Sequence, residues 1–209
     1  EVAAAYKDAA RGLMDGGADI LLIETIFDTL NAKAAIFGVL DLFEERGEEL
    51  PLMISMTIVD NSGRNLSGQT VEAFWYSIQH AKPLIVGLNC SLGVEAFRDY
   101  VHALSGIADA YLSLYPNAGL PNEFGDFDDT PEHMTRFLRE YAESGLLNLA
   151  GGCCGTTPAH IKQFAETIRD IAPRPLPTDL PQYATFSGLE PLVVRPETNF
   201  VNVGERTNV

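Results

Sequence analysis

The stretch Leu146-Leu147-Asn148-Leu149-Ala150-Gly151-Gly152-Cys153-Cys154-Gly155-Thr156-Thr157-Pro158 decides how this chain is read. An apolar run enters it and an amphipathic helical pattern leaves it. Between them lie two adjacent cysteines, framed by glycines that let the backbone take positive φ and bend tightly. Consecutive side chains of an extended strand point to opposite faces, so both thiols reach one point only if the chain bends there. Thr156 or Thr157 suits the N-cap of the next helix, and Pro158 its first turn. The pair is therefore expected at the C-terminal end of a strand, where α/β folds place their chemistry.

The remaining cysteine stands in Gly87-Leu88-Asn89-Cys90-Ser91-Leu92-Gly93, again after an apolar run and before a helical pattern. Three soft ligands on one rim suit a zinc ion with an open fourth position. The spacing is not a paired C-x-x-C pattern, so two buried thiols plus a solitary one, or a vicinal disulfide, also fit it.

The flanking sequence repeats the same strand-to-helix unit. Helices are predicted over residues 1–16, 28–46, 70–81, 94–105, 131–144 and 158–172, and strands over 18–24, 52–59, 84–88, 110–115 and 146–150. Gly16-Gly17 and Gly47 close the first two helices, and Thr130-Pro131 opens the fifth. Polar loops occupy 60–68 and 116–130. Five strand-to-helix units without a hairpin signal imply a parallel sheet. An open doubly wound sheet and a (β/α)8 TIM barrel compete. The cysteines come from two strand ends with a whole strand between them, which favours a barrel, because there all strand ends converge. Five strands are too few to close one, so three further units are expected before Glu1.

Residues 173–198 differ. Pro173, Pro175, Pro177, Pro181, Pro191 and Pro196 fall in a stretch without amphipathic period, which reads as an extended, semi-rigid linker. Leu180, Tyr183, Phe186 and Leu189 suggest that it packs along a surface. Phe200 to Val203 is expected to open a strand of another domain. The predicted division is 1–172 barrel, 173–198 linker and 199–209 start of a second domain.

The 209 residues are 46% hydrophobic, enough for a sizeable core, and carry a formal charge of -15. Mean hydropathy is +0.02 and the pI about 4.5. Such acidity argues against nucleic acid, which needs basic patches, and against anionic membrane surfaces. No run of 18 apolar residues suggests a membrane span, and no signal peptide is visible. Three cysteines, an odd number outside any small secreted pattern, suggest a reducing, cytoplasmic setting.

Asn117, in Tyr115-Pro116-Asn117-Ala118-Gly119-Leu120-Pro121-Asn122, ends the strand between the two cysteine turns. Its neutral amide oxygen suits either a weak zinc ligand that a thiolate displaces or turn hydrogen bonds. Glu24 ends an apolar strand, where a carboxylate needs a partner. His80, His102, His133 and His160 fall in helical patterns and are expected at the surface, with His160 six residues after Cys154. Asp126, Asp128 and Asp129 form an acidic run in a loop.

The Cys90 turn, the Tyr115–Asn122 segment and Gly151-Gly152-Cys153-Cys154-Gly155-Thr156-Thr157-Pro158-Ala159-His160-Ile161 together resemble the homocysteine S-methyltransferase family. The ending Phe200-Val201-Asn202-Val203-Gly204-Glu205-Arg206-Thr207-Asn208-Val209 is similar to the entry of the pterin-binding domain in cobalamin-dependent methionine synthases. The resemblance implies a barrel with zinc on Cys90, Cys153 and Cys154, and with Asn117 as a fourth ligand in the substrate-free state. It implies that Glu24 holds the ammonium group of homocysteine, and that Glu205 and Asn208 touch the pterin. Asn89, beside Cys90, suits either orienting the substrate or the rim, or turn hydrogen bonds. The implied reaction transfers a methyl group from methylcobalamin, regenerated by 5-methyltetrahydrofolate, to homocysteine, giving methionine. Folate and cobalamin domains of one longer chain are the implied partners. The alternatives are a corrinoid-independent methyltransferase using betaine or S-methylmethionine, and a non-catalytic zinc or thiol module.

Overall fold

Strands and helices alternate because apolar runs are punctuated by residues that start and stop helices. The chain runs α1 (Val2–Asp15), β1 (Leu21–Ile26), α2 (Thr29–Arg46), β2 (Leu52–Met56), α3 (Val71–Ile78), β3 (Ile85–Gly93), α4 (Arg98–Ser105), β4 (Tyr111–Asn117), α5 (Pro131–Glu143), β5 (Leu149–Ala150) and α6 (Pro158–Ile168). The structure is a computed structural model describing residues 1–59 and 62–202. Asp28, Thr70 and Thr130 accept backbone N–H bonds of the first turns of α2, α3 and α5, at 3.0, 3.2 and 3.2 Å. These bonds satisfy donors that a helix cannot pair internally.

The sheet has the order β1-β2-β3-β4-β5, and all its pairs are parallel. Spatial order follows chain order, so there is no switch point. Right-handed crossovers that all advance in one direction place their helices on one face. On that face Ile54, Met56, Val86, Leu88, Leu112 and Leu114 pack with Phe74, Trp75, Phe97, Leu138, Tyr141 and Phe164 in one buried cluster. Each large side chain buried there contributes about 1.5–3 kcal/mol. The opposite face carries Leu22, Met53, Ile85 and Tyr111 in register. Of these, Leu22 and Tyr111 remain 39% and 37% exposed. This is a singly wound arc of the kind that walls a barrel, and the doubly wound alternative is set aside.

Three local differences from the sequence reading matter. β3 continues through Cys90 to Gly93 instead of stopping near Leu88. β5 is only two residues; Leu146 and Leu147 are buried ahead of the ladder, and Leu147 O accepts from Arg174 N instead. Residues 184–194, read as extended chain, contain an antiparallel hairpin of β6 (Ala184–Ser187) and β7 (Pro191–Val194). A two-stranded hairpin is marginal alone, and this one leans on the loop before α3 and on α3 itself. Ser187 Oγ donates to Ala73 O at 2.6 Å, Gln69 Nε2 to Gly188 O at 3.0 Å, and Thr70 N to Leu189 O at 3.1 Å. Its two four-residue strands, one opening on Pro191, give little alternating signal without α3 beside them.

Phe200 to Asn202, expected to open a strand, form no strand pairing. Glu205, Arg206 and Asn208, with the rest of 203–209, lie outside the described residues.

Arg174, the second residue of the proline-rich segment, is only 4% exposed. Its guanidinium donates to Ser105 O, Ala108 O and Ala110 O at 2.8, 2.7 and 3.0 Å. Its own N–H bonds Leu147 O at 2.9 Å, and Asn148 Nδ2 donates to its carbonyl at 2.7 Å. The segment is thereby pinned beside the N-terminal ends of β4 and β5. Arg174→Met removes every donor from three carbonyls, so denaturant titration of the full-length protein is expected to show a loss of about 2–4 kcal/mol. An unchanged midpoint means that water satisfies those carbonyls.

Candidate metal centre

Two strand ends and the loop after a third assemble the site. β1 pairs Ile23 with Ile54 and Ile26 with Met56, so Glu24 and Thr25 together oppose the single residue Ser55. β3 pairs Asn89 with Tyr115 and Gly93 with Asn117, leaving Cys90, Ser91 and Leu92 against Pro116 alone. Thr25, Cys90 and Ser91 have φ of 57, 64 and 61°. Positive φ is uncommon outside glycine and costly for a β-branched residue. Bulges of this kind re-aim side chains next to active sites. Here they turn Cys90 toward the β5 loop.

That loop is tied down by backbone bonds. Cys153 N donates to Pro116 O at 2.8 Å, and Ala118 N to Cys154 O at 2.8 Å. Cys154 N donates to Asn117 Oδ1 at 3.1 Å, and Thr156 Oγ1 to Cys153 O at 2.7 Å. Gly155 takes φ of 77°, and a Cβ there would lie 2.3 Å from Phe127.

The result is a tight sulfur triangle. Cys90 Sγ and Cys154 Sγ are 3.7 Å apart, and Cys153 Sγ and Cys154 Sγ 3.9 Å. All three sulfurs lie within 4.8 Å of one another, and no second cluster of three metal-type ligands occurs among the described residues. Three thiolates on a tetrahedral zinc at ~2.3 Å would be about 3.8 Å apart. The sulfur positions therefore fit a zinc-sized ion. Burial pushes the Cys153 thiol up to about 12, with Cys90 adding to the shift. Burial also raises Cys154, and its hydrogen bond with Cys90 raises it further. Cys153 and Cys154 thus resist ionising on their own, and a divalent cation would reverse that preference.

Asn89 is fully buried between the cysteine turns. Its Oδ1 accepts from Ser55 Oγ at 2.7 Å and Thr25 N at 3.2 Å. Its Nδ2 donates to Thr25 Oγ1 at 2.7 Å and approaches Cys153 Sγ at 4.0 Å. Asn117 is buried too, with its amide oxygen engaged by Cys154 N. Glu24 is exposed, lining a cleft beside Tyr6 and Asn31. Burial raises the Tyr115 phenol and the Glu24 carboxylate raises it further, so these side chains are in electrostatic reach. Tyr115 carried no assignment in the sequence. Its place in register with Asn89, with its ring against Gly151 where a Cβ would come within 2.6 Å, follows only from the sheet.

His160, expected at the surface, is buried. Its Nδ1 accepts from Thr157 N at 3.1 Å and its Nε2 lies 2.9 Å from Asp129 O. It fastens the start of α6 to the loop before α5 and uses both ring nitrogens in doing so.

A singly wound parallel α/β arc with three converging thiols on its C-terminal rim defines a barrel-like domain whose thiols could hold a metal ion. Residues 1–168 match the homocysteine S-methyltransferase family, and the chain belongs to that family. Among solved structures it resembles the homocysteine methyltransferase MmuM from Escherichia coli. For the apo form the TM-score is 0.57 at 22% identity, covering 79% of this chain and 57% of that one. For the metallated form the values are 0.59 and 22%, covering 78% and 51%. The chain thus spans little more than half the length of these relatives.

Gly155→Ala forces both a left-handed alanine and a collision with Phe127. A stability loss of about 2–4 kcal/mol is expected in urea titration, and a neutral result would mean that the loop relaxes freely.

Proposed function

We propose that this chain is the thiol-activating part of a zinc-dependent homocysteine S-methyltransferase, with Cys90, Cys153 and Cys154 as the metal ligands. The observation that carries this reading is the sulfur triangle, all within 4.8 Å, in a chain of that family. Zinc held by these thiols would supply a Lewis acid that lowers the pKa of a substrate thiol. The chain's own residues do the rest. The bulged strand ends aim the three sulfurs, Asn117 and Pro116 hold the Cys153–Cys154 turn, and Glu24 receives the substrate ammonium. Before substrate binds, Asn117 would be the candidate fourth ligand, its amide oxygen then sharing or leaving the Cys154 N–H.

The finer reading is cobalamin-dependent methionine synthesis. Methylcobalamin donates the methyl group, 5-methyltetrahydrofolate regenerates it, and both are held by other domains of a longer cytoplasmic chain. In that reading residues 1–172 complete a (β/α)8 barrel with three preceding units, 173–198 link the domains, and Glu205 and Asn208 serve the pterin site. The support is the resemblance of residues 200–209 to the pterin-domain entry. The competing reading is a corrinoid-independent enzyme. Assays of the full-length protein with methylcobalamin, S-methylmethionine and betaine decide between them: turnover only with either of the last two removes the cobalamin reading.

Metal analysis of the full-length protein is expected to give about one zinc per chain, with sulfur neighbours at ~2.3 Å by X-ray absorption, and Cys153→Ala is expected to lose it. Absence of sulfur scatterers ends the zinc assignment. Glu24→Gln keeps the shape and removes the charge. If bound substrate closes Glu24 off from water, losing one partner of the buried charged pair costs about 2–5 kcal/mol, so homocysteine affinity should fall well over tenfold with zinc retained. 3-Mercaptopropionate, which has no ammonium group, should be affected far less, and equal loss for both thiols would release Glu24 from this role.

A further inference from the structure

The geometry points to Asn89 and Thr25 as a positioning pair that fixes where Glu24 is presented relative to Cys153, coupling recognition of the substrate ammonium to the metal-binding thiols. This rests on the proposed reading of homocysteine as the substrate.

The argument begins with strand parity. Ile23 and Ile26 are three residues apart, yet both are buried in the helix-side cluster. On a regular strand, residues three apart point to opposite faces. Parity is restored by the extra residue at Glu24 and Thr25, where the register jumps. Bulges are rare in parallel pairs, and this one keeps Ile26 in the core while leaving Glu24 exposed. Its cost is concentrated in Thr25, a β-branched residue at φ of 57°.

Something must hold Thr25 there, and Asn89 grips it twice. Asn89 Oδ1 accepts from Thr25 N at 3.2 Å, and Asn89 Nδ2 donates to Thr25 Oγ1 at 2.7 Å. Ser55 Oγ donates to the same Oδ1 at 2.7 Å and fixes the amide plane. The other reach of Nδ2 is Cys153 Sγ, at 4.0 Å. One carboxamide therefore touches the residue after Glu24 and a sulfur of the triangle. Asn89 is fully buried, so it acts through these neighbours and not by touching substrate. Glycine at position 25 would meet the left-handed requirement without strain. Threonine gives up that ease and supplies a hydroxyl to the clamp.

The test uses zinc-loaded full-length protein and calorimetric binding of homocysteine and 3-mercaptopropionate. Thr25→Gly accepts the backbone conformation and lacks the clamp hydroxyl. It is expected to weaken homocysteine by about tenfold, leave 3-mercaptopropionate within about twofold, and keep its zinc. Thr25→Ser retains the hydroxyl and is expected to keep wild-type selectivity. On the metal side, Asn89→Asp keeps the acceptor for Ser55 and Thr25 and removes the donor. In the cobalt-substituted protein its sulfur-to-metal charge-transfer band is expected to shift from the wild-type position. The pairing is overturned if Thr25→Gly leaves the ratio of the two thiols unchanged or weakens both alike, or if the Asn89→Asp band stays in place. Wild-type protein that takes up zinc but binds neither thiol overturns the homocysteine reading itself, and with it the role given to the pair.

Discussion

One buried carboxamide holds three strand ends in a shape that regular pairing would not give. Asn89 bonds Thr25 of β1 and Ser55 of β2 from its own place in β3. A parallel ladder left to itself would continue straight, with successive side chains on opposite faces. Instead β1 and β3 both bulge, and three residues adopt positive φ without being glycine. An unpaired amide at this depth would be costly, so the bonds that satisfy Asn89 also hold the β1 bulge. The sulfur triangle and the exposed carboxylate of Glu24 both stand on this arrangement.

The electrostatics of the rim follow from how the thiols are packed. Burial and mutual proximity raise Cys153 and Cys154. Thiols raised in this way are poor as free anions, and a cation held among them would offset the desolvation. Thr57 Oγ1 and Ser91 Oγ, 2.8 Å apart, add a hydroxyl pair beside the Cys90 turn. The lysine and arginine side chains with resolved ion pairs lie elsewhere, as in Lys7 with Asp41 and Glu45, or Arg64 with Glu190.

The proline-rich segment behaves as part of the domain it follows. Arg174 closes carbonyls at the end of α4 and the start of β4, and the β6–β7 hairpin borrows partners from α3 and the loop before it. Proline lowers the entropy of an extended chain, so few bonds suffice to dock it. The exposed Leu189 and Phe186 side chains show that this docking is polar as much as apolar.

The alternation of apolar runs with capped helices was legible in the sequence because it depends on local chemistry. Asp28, Thr70 and Thr130 cap where their side chains lie next to free N–H groups. The three cysteines were legible as a set because each follows an apolar run, and strand ends converge in a singly wound sheet. Other features depended on residues distant in the chain. Thr25 gives no sign of positive φ until Asn89, 64 residues away, grips it. His160 reads as a surface histidine until the loop carrying Asp129 covers it. The β6–β7 hairpin has too little pattern of its own and exists against α3. Sequence by itself determined the order of elements and the ligand types. Tertiary structure alone decided the bulges, the orientation of Glu24 and the burial of Asn89, because each is a balance between local strain and hydrogen bonds from another strand.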